Sequence, residues 1–143
     1  MSVMVSLPRR VEHVDTDAAG VMHFTRYASL IETALLENLE ALGVGTRLMD
    51  EHKVQPAVSE LRMRYSAAAR FSDELLVRVG VEHVGGASYR ISGFVYRRED
   101  GAETLLASGL LVMCLVRVAD GAPAALPATL RTTLARCMGE ADG

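Results

Sequence analysis

Two carboxylates one residue apart, Asp15 and Asp17, stand in the stretch DTDAAG, directly ahead of VMHFTRY and a long apolar-periodic run. A helix that begins just after such a turn presents backbone N–H groups with no intrahelical acceptor. With the helix dipole they make a site for an oxygen that carries negative charge. A carboxylate beside that site is equipment for acyl transfer: it attacks or activates water while the amides hold the developing oxyanion. Ala18, Ala19 and Gly20 are small enough to leave room for a ligand near the backbone. The plainer alternative is that the carboxylates cap the helix and form the turn. The residues by themselves leave both readings open.

The element that would position this turn is a helix predicted over Thr25 to Leu42. Tyr27, Leu30, Ile31, Ala34, Leu35, Leu39, Ala41 and Leu42 share about half of its circumference. Arg26, Ser29, Thr33, Glu37 and Glu40 fall on the opposite arc, and Gly43 stands where a left-handed cap is expected. So wide an apolar face suits a helix wrapped by a sheet. Asn38 projects from that face and needs a hydrogen-bond partner once buried.

Ahead of the acidic turn, Arg9 to Asp15 reads as a short strand. Asp50 to Lys53 reads as loop, after which the period changes to two. Leu61, Met63 and Tyr65 alternate with polar residues, and so do Leu75, Val77, Val79 and Val81. Gly85-Gly86 and Asp100-Gly101 signal hairpins that bound a strand from Ala87 to Arg98. Glu103 to Val118 is apolar at both parities and is expected to be covered on both faces. Leu126 to Met138 reads as a terminal helix. The order is strand, long helix and four strands largely in an antiparallel meander. That is an α+β layer, one domain over residues 1–143, and its free sheet edge favours association of copies.

Composition narrows the function classes. Of 143 residues, 50% are hydrophobic, and the net charge is −3 with no Lys/Arg run, which argues against disorder and nucleic-acid binding. The apolar run of Leu105 to Val118, broken by Ser108, Gly109 and Arg117, is shorter than the roughly 18 apolar residues of a membrane span. MSVMVSLPRR has the wrong order of charge and apolar residues for a secretory signal, so a cytoplasmic protein is expected. Two cysteines and four scattered histidines show no metal-ligand spacing. Neither a metal nor another cofactor is expected.

DTDAAGVMHFTRY, followed by a Glu-containing helix, resembles the opening motif of the hotdog-fold thioesterases of the 4-hydroxybenzoyl-CoA thioesterase type. That type includes the Tol–Pal-associated acyl-CoA thioesterases, and the cyanobacterial 1,4-dihydroxy-2-naphthoyl-CoA thioesterases open similarly. RFSDELLV, GGASYR and the closing ALP fit the same pattern, so the resemblance spans most of the chain. It implies a hotdog fold, an antiparallel sheet wrapped around one long helix. It also implies a homodimeric or homotetrameric thioesterase, with an acyl-CoA or acyl-carrier-protein substrate and the site between protomers. By position the catalytic carboxylate falls on Asp17, and the oxyanion donor on the backbone N–H of Phe24. Gly20 falls on the motif glycine that admits the thioester. Glu32 matches an acidic helix position and is a further candidate acid or a salt-bridge partner. His23, in place of an aromatic, and Tyr27 would wall the pocket, while Ser88 would meet pantetheine. Asp15 would hydrogen-bond the turn.

One departure concerns the carrier. The hydroxybenzoyl-CoA enzyme has basic residues in the hairpin before the fourth strand, where this chain has VGGAS. A phosphate clamp would have to come from Arg62, Arg64, Arg70, Arg97 or Arg98. Two other functions fit the elements: a hotdog hydratase or dehydratase using His23 and Glu32, and a non-catalytic module that binds acyl thioesters.

Overall fold

A computed structural model describes residues 4–138. The long helix is α1, Phe24–Ala41, and its buried face is Tyr27, Leu30, Ile31, Ala34, Leu35, Asn38 and Leu39. Gly43 follows with φ 81°, the left-handed conformation expected of it. The sheet comprises β1 (Leu7–Arg10), β2 (Val54–Tyr65), β3 (Glu74–Val84), β4 (Ser88–Glu99), β5 (Ala102–Arg117) and β6 (Pro123–Ala124). A short α2, Thr46–His52, leads into β2, and α3, Ala128–Cys137, closes the fold.

The strand order is β1-β3-β4-β5-β2, with β6 added to β5, and every pairing is antiparallel. The β3-β4-β5 meander has the expected hairpins. Asp100 at φ 54° and Gly101 at φ 80° supply the two positive φ angles of a type I′ turn. The helix lies on one face of the sheet: a side chain on Gly93 would collide with Ile31, and one on Gly109 with the Met63 sulfur. Glycine at these two positions lets helix and strands approach. This is the wrapped helix of the hotdog arrangement.

Four expectations require correction. First, β2 does not continue into the meander beside β3. It crosses to the far edge and pairs with β5, from Val54 opposite Arg117 to Tyr65 opposite Ala107. Second, the first strand ends at Arg10, and His13–Asp15 is a turn of 3-10 helix. The Asp15 carboxylate accepts the Glu12 N–H at 2.8 Å and so closes that turn. Third, Asp50–Lys53 is not all loop, since α2 runs through His52. Its first turn is capped from a distance, because Glu40 Oε1 accepts both the N–H and the hydroxyl of Thr46 at 3.1 Å. Fourth, the two faces of β5 are covered unequally. Leu111, Met113 and Leu115 are buried, whereas Leu110, Val112 and Cys114 are only partly so.

Asn38 has the partner its position demands. Its amide pairs with the Val5 backbone as a strand would: the Val5 N–H donates to Oδ1 at 2.6 Å, and Nδ2 donates to the Val5 carbonyl at 3.0 Å.

Candidate active site

The DTDAAG stretch forms a small hairpin. Thr16 stands opposite Met22, and Asp17 N–H donates to the Val21 carbonyl at 2.9 Å. Gly20 has φ +82° with open space where a side chain would be, so conformation is what calls for glycine there. A second bridge, Val21 to Arg70, ties the hairpin to the segment before β3.

The two aspartates part company. Asp15 is 1% exposed. Arg9 Nη2 donates to both of its oxygens at 3.0 and 2.9 Å, and Arg26 Nε donates to Oδ1 at 2.9 Å. Burial alone would raise the carboxyl pKa. The Glu12 N–H and the two guanidiniums outweigh burial and hold it below the usual Asp value. Asp15 therefore joins β1, the turn and the first turn of α1. Asp17 is exposed; its Oδ1 accepts the Ala19 N–H at 2.8 Å, and Oδ2 has no partner among the described residues.

Phe24 opens α1, and its N–H has no acceptor among the described residues. His23 is the N-cap, its Nδ1 accepting the Thr25 N–H at 3.3 Å, and its ring stacks on Phe24 with centroids 4.6 Å apart. The cap engages Nδ1, and Nε2 has no partner among the described residues. A cavity of about 340 Å³ lies beside this helix end, lined by Met22, Phe24, Tyr27, Tyr65 and the segment 66–68. Asp17 is not among its walls. Tyr27 is buried with its hydroxyl accepting the Ala69 N–H at 3.0 Å, so it is a fixed wall. Tyr65 donates its hydroxyl to the Phe24 carbonyl at 2.9 Å. Burial and the neighbouring Tyr27 raise the Tyr65 pKa above its ordinary value. Sequence reasoning did not mark Tyr65 as a site residue. Its parity with Leu61 and Met63 was the available signal, because all three face α1.

A second cavity of about 270 Å³ follows along the α1/β2 groove, lined by Ala28, Ser29, Glu32, Val58, Leu61 and Leu111. Glu32 is half-buried there without an ion pair or hydrogen bond among the described residues. Eight helical residues separate it from Phe24, a rise of about 12 Å. Within one protomer the two do not reach a common carbon. Ser88 lies farther away. Tyr65, Ala107 and Val95 form one cross-strand row. Ser88 precedes Val95 by seven residues of β4, roughly 23 Å. Of the candidate phosphate ligands, Arg97 is engaged by the Ala68 carbonyl at 3.2 Å, and Arg62 and Arg64 line a separate cavity with Phe94 and Ser108. Arg70 alone of the five flanks the hairpin through its bridge to Val21.

The sequence matches the thioesterase-like superfamily over residues 11–134. It is 37% identical over 84 residues to the acyl-CoA thioesterase YbgC of Haemophilus influenzae, covering 58% of this chain and 62% of that protein. It is 33% identical over 113 residues to a 1,4-dihydroxy-2-naphthoyl-CoA hydrolase of Synechococcus, covering 75% of this chain and 73% of the relative. In fold it is similar to the Synechocystis 1,4-dihydroxy-2-naphthoyl-CoA thioesterase Slr0204, with TM-score 0.76, 19% identity, and coverage of 91% of this chain and 94% of the other.

Proposed function

Because the chain belongs to the thioesterase-like superfamily, we propose that it hydrolyses an acyl-CoA or acyl-carrier-protein thioester to the free acid and the thiol. The Phe24 N–H, without an acceptor among the described residues at the start of α1 and beside an apolar cavity, is the observation that carries the reading. The thioester oxygen takes that amide, and the acyl group enters the cavity past Phe24 and Tyr65. Asp17 supplies the nucleophilic oxygen, either its own free Oδ2 or that of a water it deprotonates. A C–O bond forms as the C–S bond breaks and the thiolate departs; its proton is the one given up by the attacking water, or, after direct attack, by the water of the second step. After direct attack, water cleaves the mixed anhydride and restores the carboxylate. The exposure of Asp17 in one protomer fits a site closed by a second copy, and the unpaired edge of β2 is where that copy would add.

A cytoplasmic homodimer or homotetramer that needs no cofactor is part of the same proposal. Among the described residues no helix is long and apolar enough to cross a membrane. The hydratase alternative needs His23 and Glu32 around one carbon, and within one protomer Glu32 lies more than two helical turns from His23. Free-thiol release from a panel of aliphatic and aryl thioesters on both carriers tests the function. Intact thioesters after prolonged incubation with the purified protein would refute it.

A further inference from the structure

Residues 66–73 join β2 to β3 and run alongside the acidic hairpin. The Met22 N–H donates to the Ala69 carbonyl at 2.8 Å, and Val21, which accepts the Asp17 N–H, bridges to Arg70. The hairpin that carries Asp17 therefore hangs on this segment, two residues ahead of Phe24. The peptide group between Ala68 and Ala69 is gripped from opposite sides. Its N–H donates to the hydroxyl of buried Tyr27 on α1 at 3.0 Å, and its carbonyl accepts Arg97 Nη1 from β4 at 3.2 Å. A trans peptide is planar and points these two groups apart, so the pair of bonds fixes its plane. The same Nη1 lies 3.8 Å from Asp73 Oδ2, an oxygen that also accepts the Arg70 N–H at 2.9 Å. The Arg97 and Asp73 side chains are 27% and 25% exposed, so this is not a solvated surface pair.

We propose that Arg97 is a positioning residue for the hydrolytic site. It holds the Ala68–Ala69 peptide, and through the Ala69 carbonyl it sets where the hairpin places Asp17 relative to the Phe24 N–H. This rests on Asp17 and the Phe24 N–H as the reacting pair, and Arg97 itself touches no substrate. Without the guanidinium the peptide keeps only its bond to Tyr27. Its plane is then free to turn, and the Ala69 carbonyl that receives Met22 moves with it. A shift of about 1 Å at the reacting groups is enough to slow a reaction on the order of a hundredfold. Losing one of several supports should cost less than that. The guanidinium is thus committed to the frame of the site and is not a ligand for carrier phosphates.

The test uses Arg97→Met, which keeps the stem and removes the donor. Per folded molecule, kcat should fall about tenfold while KM for a CoA thioester stays within about twofold of wild type. Arg97→Lys, which restores a donor, should recover most of the loss. In an Asp17→Asn background Arg97→Met should reduce the residual turnover by about twofold at most, because the carboxylate it places is absent. Arg78→Met breaks a comparably covered ion pair, to Glu103, and should lower stability while leaving kcat unchanged. An unchanged kcat in Arg97→Met, or a loss that multiplies in full onto Asp17→Asn, would overturn the proposal. So would a raised KM at constant kcat, which marks a phosphate contact instead. Should wild type release thiol from no thioester, the hydrolase reading fails on its own. Amide exchange then decides whether Arg97 holds the hairpin: acceleration at Met22 in Arg97→Met well beyond that in β1 supports it, and unchanged exchange at Met22 overturns it.

Discussion

The phenol of Tyr65, at the end of the edge strand β2, donates to the carbonyl of Phe24 at 2.9 Å. Its ring meets Phe24 and Tyr27 edge-on, with centroids 6.5 and 5.4 Å away. The residue whose free amide is assigned to the oxyanion is therefore held from across the groove.

Tyr65→Phe should separate this restraint from simple packing. The ring and its contacts remain while one hydrogen bond worth about 1 kcal/mol is lost. Expected is a fall in kcat of roughly fivefold with KM little changed. A kcat equal to wild type would show that the bond does not orient the amide.

Asp17→Asn should lower thioester hydrolysis by about three orders of magnitude or more. The side chain is exposed and its one bond, to the Ala19 N–H, can be made by an amide oxygen. The melting temperature should therefore stay within a few degrees. Full turnover by this variant would remove Asp17 from the reaction.

Asp15 makes acid sensitivity predictable in direction. Its pKa is lowered in the folded chain, so its contribution is fully present above the unfolded Asp value of about 3.9 and is lost as pH falls through the lower folded value. Denaturant titrations should show wild type losing stability on acidification below about pH 4. Asp15→Asn should be less stable at pH 7 by about 2 kcal/mol, discounted because Arg9 and Arg26 are partly exposed, and should show a flatter acid profile. Parallel acid profiles would contradict this account.

Asn38→Leu removes the strand-like partner of Val5 and leaves that backbone unsatisfied. A destabilisation of about 2 kcal/mol is expected. Amide exchange at Val5 should accelerate well beyond the change in β1 and α1. A uniform change across the chain would indicate a packing effect instead.

Gly93→Ala drives a methyl into Ile31 and should destabilise by about 1–3 kcal/mol. Ile31→Val in the same chain should recover part of that loss, and the double-mutant cycle measures it. Strict additivity would refute the assigned contact.

Much of the architecture was legible locally. The period of α1 places its buried face, Gly43 ends it, and Asp100-Gly101 turns β4 into β5, because each signal depends on neighbours a few residues away. The resemblance gave Asp15 the turn, where its carboxylate does accept the Glu12 N–H. Other features had no local trace. The cap of α2 comes from Glu40, six residues before Thr46, and β2 skips its sequence neighbour to pair with β5. Alternation says which way a side chain points but not which strand lies alongside.

The sequence by itself determined an α+β chain with one wrapped helix and an acidic turn at its start. Periodicity and turn chemistry are properties of consecutive residues, and they survive without knowledge of the fold. Only the tertiary structure decided that Asp15 is buried between Arg9 and Arg26, that His23 Nδ1 caps α1, that Tyr65 reaches Phe24, and that Glu32 lines an apolar cavity with no partner among the described residues. Each of those depends on groups brought together from distant parts of the chain. Burial and unmet hydrogen bonds exist only once the surrounding elements have packed.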